Sequence, residues 1–135
     1  MVAAQADWQP WSDAAVGSAL AQDRAVFVDF TAAWCVTCQV NKRLVLQADE
    51  VERRFNELRV VRLRADWTNR DPAITSALAR LDRSGVPVYA LYLPPAREPQ
   101  LLPEVLTRRL VLDALARVGP LAAAPSSPAN TKEQP

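Results

Sequence analysis

The sequence predicts an α/β fold, a mixed β-sheet with helices on both of its faces. Two observations predict it. Residues 25–30, Ala-Val-Phe-Val-Asp-Phe, form a nearly continuous apolar run, as a strand covered on both faces requires. Helical and strand-like segments follow in the order helix, strand, helix, strand, helix, strand, strand, helix. That order is a β-α-β unit, a further helix and a β-β-α unit, which places helices over both sheet faces.

Taken in order, Ser12 is the expected N-cap of the first helix, whose Ala15, Val16, Ala19 and Leu20 share one face. The apolar strand 25–30 follows. A second helix is expected from about Cys35 toward Ala48, with a further turn or two around Val51 to Phe55. Residues 60–65, Val-Val-Arg-Leu-Arg-Ala, alternate as a second strand does. Asp71-Pro72 reads as N-cap and first helical residue, where the missing proline N–H costs nothing. Ile74, Ala77, Leu78 and Leu81 then recur at helical spacing. Val86 to Leu93 is strand-like and ends at Pro94-Pro95. Gln100 to Leu102, between Pro99 and Pro103, suits a hairpin partner at a sheet edge. The last helix, about Thr107 to Val118, buries Leu110, Val111, Ala114, Leu115 and Val118.

One domain is expected over residues 8–118, with a flexible start at 1–7 and a Pro/Ala/Ser-rich disordered tail at 119–135. Met1 to Ala6 carries neither the basic nor the apolar region of a signal peptide. Half of the 135 residues are hydrophobic, enough for one compact core. Sixteen Lys+Arg against fifteen Asp+Glu leave a charge of +1, no electrostatic footprint for nucleic acid. The absence of histidine excludes Ser-His-Asp and Cys-His catalysis and histidine metal sites. Three glycines leave no phosphate-cradling loop.

The chemistry that remains rests on Cys35-Val36-Thr37-Cys38, which holds both cysteines of the chain. The pair sits where a buried strand gives way to a helix. The first sulfur there faces unsatisfied N–H groups and the positive end of the helix dipole, which stabilise a thiolate. The more exposed first cysteine attacks a disulfide, and the second, one turn later, resolves the mixed disulfide. Three readings without redox chemistry compete: a structural disulfide, half a zinc site and two inert core cysteines. The first closes too small a loop to restrain the unfolded chain much, and the second lacks further Cys or His ligands.

Asp29 lies six residues before Cys35 between apolar neighbours, where desolvation raises its pKa and suits it to relay a proton to or from Cys38. The competing reading is an ordinary strand-end carboxylate facing water. Val86-Pro87 precedes the third strand, and the general preference of X-Pro bonds makes it trans. Trp34, beside the first cysteine, suits a docking role better than Trp67. The Arg-rich stretch Arg53 to Arg64 reads as a solvated helix face and strand edge.

These residues resemble the thioredoxin superfamily, and within it the C-terminal thioredoxin-like domain of the DsbD family of thiol:disulfide interchange proteins. The resemblance lies in Val28-Asp29-Phe30-Thr31-Ala32-Ala33-Trp34-Cys35-Val36-Thr37-Cys38, Ala65-Asp66-Trp67-Thr68-Asn69, Gly85-Val86-Pro87-Val88-Tyr89 and Leu102-Pro103-Glu104-Val105-Leu106-Thr107. It covers roughly Trp8 to Val118. It implies a thioredoxin-like fold and a bacterial periplasmic domain at the end of a membrane-embedded electron conduit. Such a domain takes electrons from the transmembrane segment of the same or a partner protein and passes them to a periplasmic disulfide-bearing domain. The resemblance also implies Cys35 as nucleophile, Cys38 as resolving thiol, Asp29 as buried acid and Pro87 as a cis-proline beside the disulfide, with Val86 shaping the site.

Lys42 departs from the pattern, because many family members carry glutamate seven residues after the first cysteine. Helical geometry projects its ammonium from the cysteine-bearing face toward Asp29, which it would pair with; the competing reading leaves its charge in water. Between the cysteines, Val36 and Thr37 supply no positive charge to stabilise the thiolate, which favours a reductant over an oxidant. The expectation is therefore a monomeric protein-disulfide reductase with no cofactor beyond its own Cys35/Cys38 disulfide. Its rivals are a stand-alone periplasmic thioredoxin-like reductase of the cytochrome-maturation type and a binding module with a structural cysteine pair.

Overall fold

The computed structural model describes residues 7–119. The expected tail from 120 onward and all of the expected flexible start except Asp7 lie outside the described residues. Five strands form one sheet in the order β1-β3-β2-β4-β5. They are β1 (Trp8–Pro10), β2 (Val26–Thr31), β3 (Val61–Asp66), β4 (Val88–Tyr92) and β5 (Gln100–Leu102). β1 and β2 run parallel to β3, whereas β4 is antiparallel to both β2 and β5. The parallel β2–β3 pair needs a crossover, and the helices between Val36 and Glu57 supply it.

The helices are α1 (Asp13–Ala21), α2 (Val36–Asn41), α3 (Asp49–Glu57), α4 (Pro72–Arg80) and α5 (Arg108–Leu115). α2 runs directly into a π-helical turn, Lys42–Leu46. The caps follow the sequence: Ser12 Oγ accepts from the Ala15 N–H, Asp71 from the N–H groups of Ala73 and Ile74, and Thr107 from that of Leu110. β1 was not expected, because three residues containing a proline carry no periodic signal. The second helix ends at Ala48 as expected, where the backbone is extended, but its last turn is π-helical, and the further turn or two around Val51 to Phe55 is a full helix, Asp49–Glu57.

Alternation along β2 sorts its side chains between the two layers. Val26, Val28 and Phe30 pack with Leu63, Ala65, Val88 and Ala90 against α1 and α4. Phe27 packs with Tyr89 and Leu91 against Val45, Leu46, Phe55, Val111 and Leu115, from the π turn, α3 and α5. Asp29 and Thr31 share the Phe27 face, so both lie on the side that α2 covers. The first turn of α2 stands at the carboxyl end of β2, the usual place for a ligand or reactive group in such sheets.

Candidate active site

Cys35 is the N-cap of α2, and Cys35 and Cys38 are joined as a disulfide with their Cα atoms 5.2 Å apart. The Cys38 N–H donates to Cys35 Sγ at 3.2 Å, so the first sulfur takes the place that a capping oxygen usually holds. Cys35 is 9% exposed and Cys38 2%, an ordering that makes the first sulfur the accessible one. The loop is fixed from below, since Cys35 N–H donates to the Ala32 carbonyl and Gln39 Nε2 donates to the same oxygen at 3.0 Å. Val86 packs on the cluster formed by Ala32, Cys35 and Cys38, and the Val86–Pro87 bond is cis. The general trans preference of X-Pro bonds is therefore overturned here. Pro94–Pro95 is cis as well.

Asp29 is buried, and its Oδ1 has no hydrogen-bond partner among the described residues. Burial pushes its pKa up to about 6, against the opposing pull of Arg64 and, more weakly, Lys42. The strand register explains Arg64, which lies directly across from Asp29 on β3, with Nε 3.6 Å from Oδ2. The Arg64 guanidinium also stacks on the Trp8 ring, 4.5 Å from its centroid, so β1 holds it in place. On the other side, Tyr89 lies across from Asp29 on β4. Burial raises the Tyr89 phenol well above its ordinary pKa, and the neighbouring carboxylate adds to this.

Lys42 is half-buried and acts on Asp29 through its field, but the ion-pair partner is Arg64. Of the two readings of Lys42, direct pairing with Asp29 is absent among the described residues, while its charge still lowers the Asp29 pKa. The solvated reading of the Arg-rich stretch fails at two positions. Arg62 is buried, donating to Asn56 Oδ1 and lying 3.7 Å from Asp7, and Arg64 is the partner just described. The cause is that β1 covers what the sequence presents as an open strand edge.

Asn41 is a further residue that the sequence reading missed. Buried one turn after Cys38, it donates through Nδ2 to the Tyr89 hydroxyl and the Glu104 carbonyl, both at 2.8 Å. Its Oδ1 accepts from the Leu106 N–H at 3.1 Å. In a helix of mixed composition, Val-Thr-Cys-Gln-Val-Asn, with its valines outside, nothing local in the sequence marks Asn41 as buried. Trp34 is half-exposed, and its Nε1 donates to the Thr68 carbonyl. Trp67 is buried and donates to Thr75, and the exposed Arg70 lies over both indole rings. The Thr68 hydroxyl accepts from Ala33 N–H, tying the cysteine loop to the end of β3.

A family model described as thioredoxin-like matches residues 7–94. The chain belongs to the thioredoxin-like family. It is 34% identical over 82 residues, 61% of its length, to the thiol:disulfide interchange protein DsbD 1 of Pseudomonas aeruginosa. It is also 34% identical over 58% of its length to DsbD of Vibrio cholerae. The matches cover only 14% and 13% of those relatives. In structure it resembles a thioredoxin from Thermus thermophilus, with TM-score 0.68 and 24% identity, over 89% of this chain and 92% of that one. It likewise resembles the reduced C-terminal domain of DsbD from Neisseria meningitidis, with TM-score 0.66 and 20% identity, over 78% and 92%. These likenesses establish the thioredoxin-like fold. Among the described residues, no group of three His, Cys, Asp or Glu side chains is placed to hold a metal, and no helix is long and apolar enough to cross a membrane.

Proposed function

We propose that the chain is a protein-disulfide reductase acting by dithiol exchange, within or beside a DsbD-like electron conduit in the periplasm. The observation that carries the reading is the Cys35–Cys38 disulfide at the start of α2, on the side of the sheet where Asp29 is buried with one unpartnered oxygen. In the reduced protein, Cys35 thiolate attacks one sulfur of the partner disulfide, forming a mixed disulfide and expelling a partner thiolate. Cys38 then gives up its proton and attacks Cys35 Sγ, releasing the second partner thiolate. Two electrons pass to the partner, and the Cys35–Cys38 disulfide is left. With a pKa of about 6, the Asp29 carboxyl is largely ionised at pH 7 and accepts the Cys38 proton. A donor dithiol restores the pair, and similarity to the DsbD proteins supports a transmembrane segment in that role.

Two measurements test the proposal. Cys38→Ser should accumulate a mixed disulfide with a small-molecule disulfide while Cys35→Ser forms none, as mass spectrometry would reveal; equal trapping by both contradicts the roles. Equilibration against a dithiothreitol buffer should place the couple at about −270 to −200 mV rather than near −120 mV. A value at the oxidising end removes the reductase reading.

A further inference from the structure

Among the described residues, five large apolar side chains are strongly exposed: Trp34, Val36, Val40, Leu44 and Val105. Single exposed hydrophobics are ordinary, but four of these lie on or just before one helix and the fifth on a segment bonded to it. Val36, Val40 and Leu44 recur every fourth residue along α2 and its π turn, which lines them up in one row. Asn41, on the inner side of the same helix, binds the backbone of Glu104 and of Leu106, and Arg108 binds the Leu44 carbonyl, which together bring the segment carrying the exposed Val105 to the far end of the row. Trp34 closes the end beside Cys35.

Cations border the row. Arg70 lies over Trp34 at the near end, 5.2 Å from the ring centroid. Arg43 follows Val40 by three residues on the same face. Arg108 marks the far end, its Nε donating to the Leu44 carbonyl at 3.1 Å. None of the three has a carboxylate within ion-pair distance among the described residues. Of the nearby carboxylates, Asp66 accepts from Thr68, and Glu104 stands beside Val105.

We propose that this row is the docking track for the substrate polypeptide, a partner segment that presents its disulfide to Cys35 and lays apolar residues flanked by carboxylates along α2 toward Val105. The inference rests on the reductase reading and names the partner's chemistry. Continuity supports it, because Trp34 and Val36 flank Cys35 in the chain, so any polypeptide whose sulfur reaches Cys35 covers the near end of the row. Charge supports an acidic partner over a second copy. A two-fold pairing of copies through this face would set Arg43 and Arg108 against the same arginines and bury both reactive sulfurs.

Two synthetic peptides with the same disulfide ring test it, one flanked by Leu-Leu-Glu-Glu and the other by Ser-Ser-Lys-Lys. The reduced full chain should reduce the Leu/Glu peptide about tenfold faster than the Ser/Lys peptide, the gain expected from covering Val40 and Leu44. Val40→Glu/Leu44→Glu should abolish or reverse that preference; Val40→Ser/Leu44→Ser serves the same purpose if the charged variant does not fold. Equal rates for the two peptides, or a preference that survives the substitutions, overturn the docking track. Sedimentation revealing a dimer that the substitutions dissolve overturns it in favour of self-association. Failure to reduce a small aromatic disulfide measured in parallel overturns the reductase reading instead.

Discussion

The two faces of the one sheet are built to opposite rules. On the α1 and α4 side, Val26, Val28, Phe30, Leu63, Ala65, Val88 and Ala90 meet Val16, Ala19, Ile74, Ala77 and Leu78, and the cluster is wholly hydrophobic. The other side holds Asp29, Thr31, Asn41 and Arg62, the four buried polar or charged residues among those described. Buried polar groups cost stability unless they are fully partnered, and Asp29 Oδ1 is not. Both faces hold the fold together, the dry one through apolar side chains alone, whereas the wetter one carries beside its apolar cluster the polar groups on which the proposed exchange draws, at some expense to stability.

The largest test of that division is on the dry face. Leu78→Ala should destabilise the fold by about 2–5 kcal/mol in urea unfolding, as a cavity in a well-packed core does. The rate of disulfide exchange per folded molecule should stay as in the parent. A fall in that rate would mean that the two faces are not separable.

The next test runs in the opposite direction. Asp29 has a folded pKa of about 6 against an ordinary 3.8, so the folded state binds more protons than the unfolded state between those values. Its contribution to stability is complete below about pH 4 and is lost as pH rises through about 6, a cost of about 3 kcal/mol by pH 7. Asp29→Asn should remove the cost, raising stability at pH 7 by about 2–3 kcal/mol and flattening the profile over that window. It should also slow release of the mixed disulfide, followed by rapid quenching. A parent-like pH profile would remove Asp29 from the argument.

The smallest effect sharpens the picture within the wetter face. Arg64 pulls the Asp29 pKa down, so Arg64→Leu should move it above about 6 and extend the pH window of declining stability upward. Thermal unfolding across pH would follow the shift. An unmoved window would leave Lys42 and solvent as the groups that set the carboxyl.

These residues also mark how far the sequence is legible. The core strands and α4 were readable because their signals are local: an apolar run, a period of 3.6, an Asp-Pro cap. Asp29 was readable as buried for the same reason, since its neighbours in the chain are apolar. Arg64 was not, because its environment comes from β2 and from Trp8 on β1, far away in sequence. Arg62 was misread on the same ground, an alternating Arg-x-Arg segment being indistinguishable from a solvated edge until β1 covers it. Asn41 escaped because its partners, Tyr89 and the backbone of residues 104 and 106, are brought to it only by the tertiary fold.

The π turn at Lys42–Leu46 offsets the two ends of the helix that begins at Cys35. Each hydrogen-bonded loop there holds one more residue than a regular turn, so the chain beyond it is rotated from where an even α-helix would carry it. Val45 and Leu46 are buried on the far side of that offset, as adjacent residues also are on a regular helix at Ala77 and Leu78. Leu44 remains outside, as Val36 and Val40 do. The end that carries the sulfurs and the end that anchors in the core therefore answer to separate phases of one winding.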